Sequence, residues 1–251
     1  MPKLIILGTA AAVPDERHDN THMLLLGEER RVLVDCASNP VIRLRQIGIE
    51  PKSITDIVMT HFHPDHVSGV PLLIMNMWLM QRQRQLNLYG LGHTVRLMEQ
   101  LLQAFDWEEW QEFPVEIKRL PQKNLTLVME SSDFRILCTP VKHFVPTIGL
   151  RIEFPRSGKV IAYTSDTAPT ANVVWLAQGA DILLHEASGA SAGHSSAAQA
   201  GEMAQQAKVK DLCLIHYPVH TGDPRALVQE AKRYFDGRVR LAEDFMEFEY
   251  K

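Results

Sequence analysis

The sequence predicts an α/β (α+β) chain folded as a four-layer αββα sandwich, two β-sheets packed face to face with helices outside. Two observations predict it: the apolar runs are mostly of strand length, and the chain twice passes from short β-rich segments and hairpins into strand–helix alternation. With 45% hydrophobic and 22% charged residues, 251 residues suffice to bury a large core, which excludes disordered and fibrous classes. The expected organisation is one domain over 1–251 made of two β-rich halves. Their pseudo-boundary falls in the polar, proline-containing stretch 111–124.

The elements follow in order. Leu4–Leu7, Met23–Leu26 and Arg31–Val34 read as strands, the latter two joined by a hairpin turn at Gly27-Glu28-Glu29-Arg30. Pro40–Ile47 has helical spacing and Gly48 stops it. Ile54–Met59 is a strand that runs straight into Thr60-His61. Helices are expected at Val67–Gln81 and Thr94–Phe105, with a strand near Leu86–Tyr89 between them. Leu125–Met129 with Phe134–Cys138, and Gly149–Phe154 with Val160–Tyr163, read as hairpins. Strand Ile182–Leu184, helix Ser196–Ala207, strand Leu212–Ile215, helix Pro224–Phe235 and strand Val239–Leu241 complete the pattern. The helix from Ser196 is the best signalled, with capping residues before it and a run of alanines within.

A formal charge of −4 provides no global positive field to draw in nucleic acid. The longest apolar stretch, Val70–Met80, is interrupted by Asn76 and falls short of the roughly 20 residues that span a bilayer. Met1–Ile6 is too short for a signal peptide. Cys36, Cys138 and Cys213 lie far apart in apolar surroundings, as buried thiols do in a reducing compartment. A cytoplasmic protein with no membrane partner is expected.

The sharpest feature is His61-x-His63-x-Asp65-His66, directly after a strand. A strand delivers its end rigidly, so histidines two apart can share one pocket while Asp65 and His66 turn to a neighbouring point. Four ligand-type side chains in six positions exceed what one tetrahedral ion takes, and invite two ions about 3.5–4 Å apart. His143, Asp166 and His216 each follow an apolar strand, where open α/β architectures place ligands, and complete a set of seven.

These residues resemble the metallo-β-lactamase superfamily over essentially the whole chain, and within it the ribonuclease Z-like branch. The resemblance is carried by Leu7-Gly8-Thr9, Val34-Asp35, the run from Thr60 to Gly69, Ser165-Asp166-Thr167, His185-Glu186-Ala187, Gly193-His194-Ser195-Ser196 and Ile215-His216. It implies that His61, His63 and His143 hold a first ion, that Asp65, His66 and His216 hold a second, and that Asp166 bridges them. Two departures stand out. Members that process transfer RNA carry a long arm between the positions matching His143 and Asp166, whereas here the two lie only 23 positions apart, room for the Gly149–Tyr163 hairpin alone. Ala37 after Cys36, and Ser165 before Asp166, stand where the branch usually has glycine.

Nitrogen–oxygen ligation without thiolate suits zinc, and also manganese, iron or cobalt. Two divalent ions, two aspartates and a bridging hydroxide leave a core of single positive charge. That matches a phosphodiester attacked at phosphorus by the hydroxide. His194, at the start of a helix, is placed to protonate a departing alkoxide, and Glu186, or His185 beside it, faces inward to orient it. Asp65, His194 and Glu186 are therefore the candidate catalytic residues. Asp35 is expected to support the ligand loop, and His22 and His220 to line the pocket. The expected function is a dinuclear phosphodiester hydrolase acting on a small molecule or RNA. A transfer-RNA 3′-processing endoribonuclease and a lactonase or other acyl hydrolase are the enzymatic alternatives, and a noncatalytic metal- or nucleic-acid-binding protein is the alternative of another class. The run Ile74–Met80, apolar nearly all round, suggests burial plus a subunit interface, so a homodimer is expected. Arg82 and Arg84 beyond it read as a charged helix end or as a grip for a polyanion.

Overall fold

Strand pairing sets the frame in the computed structural model, which describes residues 2–110 and 113–250. β1 (Lys3–Gly8), β2 (His22–Leu26) and β3 (Arg31–Val34) form an antiparallel meander, its second turn closed by Gly27 N donating to Arg30 O at 2.9 Å. Next come α1 (Pro40–Gln46), β4 (Asp56–Val58), α2 (Pro64–Val67), α3 (Gly69–Leu79), β5 (Leu86–Leu91), α4 (Gly92–Gln103) and β6 (Val115–Leu120). β3 to β6 run parallel. The second half repeats the scheme. β7 (Thr126–Glu130), β8 (Arg135–Val141), β9 (Thr147–Phe154) and β10 (Lys159–Tyr163) are antiparallel. They lead into α5 (Ala171–Ala177), β11 (Ile182–Glu186), α6 (Ala197–Ala207), β12 (Asp211–Ile215), α7 (Arg225–Ala231) and β13 (Arg238–Leu241), with β10 to β13 parallel. The last strand, β14 (Glu247–Glu249), returns to pair with β1.

The result is two seven-stranded sheets, ordered β14-β1-β2-β3-β4-β5-β6 and β13-β12-β11-β10-β9-β8-β7. Because side chains alternate along a strand, each sheet buries both faces. Ile6, Met23 and Val34 of the first sheet meet Phe134, Ile152 and Leu184 of the second in the inter-sheet core. Ile5, Leu24 and Leu33 point the other way, against Leu44 of α1, Leu73 and Met77 of α3 and Met98 of α4. On the far side Leu183, Leu212 and Leu214 pack under the alanines of α6. This is the expected αββα sandwich.

Several elements differ from their sequence expectation. The stretch 111–124 is not a plain linker: Val115–Leu120 forms β6 on the edge of the first sheet, and Gln111 and Glu112 lie outside the described residues. Its charged Glu116, Lys118 and Arg119 belong to an exposed edge, which hides a strand from a hydrophobicity pattern. The helix expected over Val67–Gln81 is divided after Val67, where Gly69 N donates to Cys36 O at 2.8 Å; a Cβ on Gly69 would lie 2.8 Å from Ala37 O, so the close approach requires glycine. α7 is shorter than Pro224–Phe235, and α5, at seven residues, and β14, at three, are too short to stand out as periodic runs. Arg82 is no grip for a polyanion. It is buried, with its guanidinium donating to the carbonyls of Lys52, Arg84 and Gln85.

Gly201 in α6 separates two effects that oppose each other. Helix propensity alone would make Gly201→Ala stabilising by about 1 kcal/mol. A Cβ there would lie 2.5 Å from the Ala231 carbonyl of α7, a backbone atom that cannot swing aside. Overpacking of this kind costs about 1–3 kcal/mol. We therefore expect a net loss of stability, read as a lower urea midpoint with an unchanged slope.

Candidate metal centre

In this sandwich functional groups follow the C-terminal ends of strands, parallel and antiparallel alike. β3 hands over to Asp35, β4 to Thr60 and His61, β8 to His143, β10 to Ser165 and Asp166, and β12 to His216, while β11 ends in Glu186. Both sheets therefore contribute to one rim. Three of these exits are in the left-handed region, Asp35 at φ 60°, Ser165 at φ 53° and His216 at φ 49°. For L-residues that conformation costs roughly 1–2 kcal/mol and persists only where the side chain is firmly held. Ser165 is held by donating to Thr60 Oγ1 at 3.0 Å, which accounts for a serine at a position that otherwise favours glycine.

The rim gathers all seven sequence-predicted ligand candidates into two adjoining groups, His61, His63, His143 and Asp166, and Asp65, His66 and His216. In the first, His63 Nδ1 lies 3.0 Å from His61 Nε2 and 3.3 Å from His143 Nε2. Tetrahedral bonds of 2.0–2.1 Å would separate two ligand atoms by about 3.3 Å. In the second, Asp65 Oδ2 is 3.6 Å from His66 Nε2 and 3.5 Å from His216 Nε2. Asp166 stands between the groups. Its Oδ1 faces His66 Nε2 at 3.4 Å and His216 Nε2 at 3.5 Å, and its Oδ2 lies 4.0 Å from both His61 Nε2 and His143 Nε2.

A surrounding layer fixes which nitrogen faces inward. The Asp35 carboxylate accepts from Thr60 N at 2.8 Å, from Thr60 Oγ1 at 2.9 Å and from His66 Nδ1 at 2.8 Å. Thr60 Oγ1 in turn accepts from His61 Nδ1 at 3.1 Å. His143 Nδ1 donates to the Gly193 carbonyl at 2.7 Å. Ser188 Oγ donates to the His216 carbonyl at 2.9 Å, so it accepts from His216 Nδ1 at 2.8 Å. In these four rings Nδ1 is engaged by the surrounding layer and Nε2 faces the pocket.

Electrostatics test whether this pocket fits cations. Among the described residues His66 Nε2 and Asp166 Oδ1 are buried without a hydrogen-bond partner, as donor atoms facing a cation site would be. Burial pushes His61 well below its ordinary value, so it stays neutral and free to coordinate. Burial also opposes charge on His66, yet the Asp166 and Asp35 carboxylates outweigh it and raise that ring well above its ordinary value. Burial likewise opposes ionisation of Asp166, but the His216, His66 and His61 rings hold its carboxyl far down. The field favours positive charge at this point, and two sets of nitrogen and oxygen donors are present to receive it.

Beside the ligand groups stands His194. Its Nδ1 donates to Glu186 Oε1 at 2.9 Å and lies 3.9 Å from Asp166 Oδ2. Glu186 is fully buried and pinned by the amides of Thr167 at 2.9 Å and Ser188 at 3.0 Å. That carboxylate raises His194 above its ordinary value, against the opposing effect of burial. The strand alternation also decides between neighbours: Glu186 meets His194, whereas His185 bonds its own neighbour's carbonyl and leaves Nε2 buried and unpartnered.

Two pocket candidates lie outside this hydrogen-bond network. His22 is buried at the start of β2, donating from Nδ1 to Asn20 O at 2.8 Å, and burial pushes it down. His220 is exposed in the turn after β12. Neither shares a hydrogen bond or ion pair with the ligand groups among the described residues. Sequence reasoning missed Ser188 and the Gly193 carbonyl as supports of His216 and His143. Ser188 carried a usable signal, a small hydroxyl residue just past the end of β11.

If Ser188 holds His216 in place, Ser188→Ala leaves the ring free to turn. We expect one of two bound ions to be lost to a chelator about 10–100-fold more readily than from the wild type, with the other retained. Metal analysis after graded chelation checks this.

The family described as "Beta-lactamase superfamily domain" matches residues 30–217. The chain is 26% identical to ribonuclease Z of Methanothermobacter thermautotrophicus over 305 aligned positions, covering 100% of this chain and 97% of that protein. It is 28% identical to ribonuclease Z of Bacillus licheniformis over 310 positions, covering 99% of each. Both alignments are longer than the chain, so these relatives carry residues it lacks. Among solved structures, the metallo-beta-lactamase fold protein YhfI from Bacillus subtilis superposes with a TM-score of 0.84 at 22% identity, covering 99% of each chain. Human tRNase Z, short form, has a TM-score of 0.80 at 22% identity, again covering 99% of each. A diphosphatase from the PhnP family has 0.76 at 21% identity, covering 100% of this chain and 98% of that one. These structures share the fold. The chain thus belongs to the beta-lactamase superfamily, as a metal-dependent hydrolase of the ribonuclease Z-like type.

Proposed function

We propose that the protein hydrolyses phosphodiester bonds at this rim, with His194 as general acid and the seven ligand candidates holding two divalent ions. The observation that carries the reading is the His194–Glu186 pair at 2.9 Å, set against the side of the ligand groups. An alcohol of high pKa departs poorly as alkoxide, so a positioned proton donor speeds its release, by about 10²–10⁴-fold in typical enzymes. A stabilised leaving group or an acyl ester of an acidic alcohol needs no such donor.

Two divalent ions in the His/Asp groups, zinc above all, would supply Lewis acidity, polarising a phosphoryl oxygen and acidifying water. The remaining chemistry belongs to the chain. Asp65 and Asp166 would offset part of the positive charge of the ions, so that the site keeps a net attraction for a singly charged diester. Water adds to phosphorus and passes one proton to the Asp65 carboxylate, the bond from phosphorus to the leaving oxygen breaks with its electron pair on that oxygen, and His194 Nε2 gives that oxygen a proton. Glu186 keeps Nδ1–H of the same ring fixed, which directs Nε2 outward.

The names of the curated relatives favour a second reading, endonucleolytic 3′ processing of transfer RNA. Against it, β9 and β10 with their short turn fill the whole interval between His143 and Asp166. A small-molecule or nucleotide diester is the reading preferred here. A second copy of the chain is proposed to cover the apolar face formed by Pro71, Leu72, Met75, Leu101, Phe105 and Trp110, a hollow of about 430 Å³. A molar mass of one chain by light scattering would remove the dimer. The three free, buried cysteines suit a reducing, cytoplasmic setting.

The primary test is a panel of precursor transfer RNA, cyclic nucleotides, a generic diester and a lactone. Turnover of diesters ahead of lactone is expected, and cleavage of precursor RNA alone would establish the second reading. His194→Ala should lower kcat on diesters of poor leaving groups by about 10²–10⁴-fold while both metals remain. Because Glu186 raises His194, the acid form persists to higher pH and activity falls as pH rises through that value. Glu186→Gln removes the raising carboxylate, so the alkaline limb of kcat should move to lower pH. An unmoved limb would remove His194 as the acid.

A further inference from the structure

One aromatic side chain at the rim is left without a structural role. Phe144 follows His143 directly and is 64% exposed, although an aromatic ring of that size gains most by burial. Its ring centroid lies 5.0 Å from that of His143 and 5.8 Å from that of His194, both in edge-on geometry at 63° and 64°. Gly193 backs it, at φ 81°, and a Cβ there would stand 3.0 Å from both the Phe144 ring and His143 Nδ1. Phe144 is therefore braced by the loop that carries the proton donor, and the rest of the ring is open to solvent.

We infer that Phe144 is the stacking surface for an aromatic ring on the leaving-group side of the scissile bond, so that the preferred substrates are phosphodiesters whose departing alcohol belongs to a nucleoside. The inference rests on the phosphodiesterase reading above and deepens it. The side is set by contact. His194 protonates the departing oxygen, Phe144 touches His194, and whatever is attached to that oxygen leaves across the phenyl ring. The class is set by chemistry. The rim offers an apolar π-face beside a site for an anion, a combination that fits a base joined to phosphate through a sugar. Stacking on an aromatic side chain tolerates any base, so the preference is for a base, not for a particular one.

Kinetics on matched substrates test this. A dinucleoside phosphate is compared with its analogue bearing an abasic sugar in the leaving position, using wild type, Phe144→Leu and Phe144→Trp, all metal-loaded. The wild type is expected to favour the base-bearing substrate by roughly tenfold in kcat/KM, mostly through KM. In Phe144→Leu, which keeps apolar bulk without a π-face, that ratio should fall to near one, and Phe144→Trp should keep or raise it. A ratio that survives Phe144→Leu, or one that already equals unity in the wild type, overturns the assignment while leaving the phosphodiesterase reading intact. If moving the abasic sugar to the other side of the phosphate is what abolishes the preference, the stacked base lies on the side that is retained, and the leaving-group assignment is wrong. Failure of the wild type to cleave either diester overturns the underlying reading itself.

Discussion

The rest of the structure depends on one buried carboxylate. Asp166 lies between two groups of imidazoles, its Oδ1 facing His66 and His216 and its Oδ2 facing His61 and His143. A carboxylate removed from water is strongly unfavourable unless positive charge compensates it. Here the compensating groups come from both sheets, since His61 and His66 follow β4 whereas His143, Asp166 and His216 follow strands of the second sheet. The site is complete only when Ile6, Met23 and Val34 on one sheet seat against Phe134, Ile152 and Leu184 on the other. Packing in the middle of the sandwich thereby sets distances at its edge.

Around that centre, His61, His66, His143 and His216 are each held by a partner outside the ligand groups. Asp35 reaches two histidines, His66 directly and His61 through Thr60. Ser188 and Glu186 extend the pattern to His216 and His194. The left-handed backbone at Asp35, Ser165 and His216 turns each side chain inward at the strand end, and the hydrogen bonds keep the strained conformation populated. The chain invests conformational strain at the rim and recovers it through a network that turns Nε2 of His61, His66, His143 and His216 toward the pocket.

Much of this was legible in the residues. The alternation of apolar runs foretold both sheets, because strands buried on two faces write themselves as short continuous hydrophobic segments. The ligand spacing at His61–His66 was legible because the motif is local. His143, Asp166 and His216 were legible only as polar residues after apolar strands, a signal that gains force from the number of coincidences. What escaped has a physical reason in each case. β6 is an exposed edge with charged residues. β14 is three residues long and pairs only with β1. Gly193 acts through its carbonyl, which no residue identity reports. Of the two histidines expected to line the pocket, His22 holds a buried backbone hydrogen bond and His220 is exposed to solvent.

The most direct measurement is the metal content of the purified, fully loaded chain, for the wild type and for Asp166→Asn. The account predicts two divalent ions per chain, and loss of both from the variant, because the shared carboxylate compensates both groups. A single tightly held ion in the wild type, or an Asp166→Asn chain that keeps two, would contradict it.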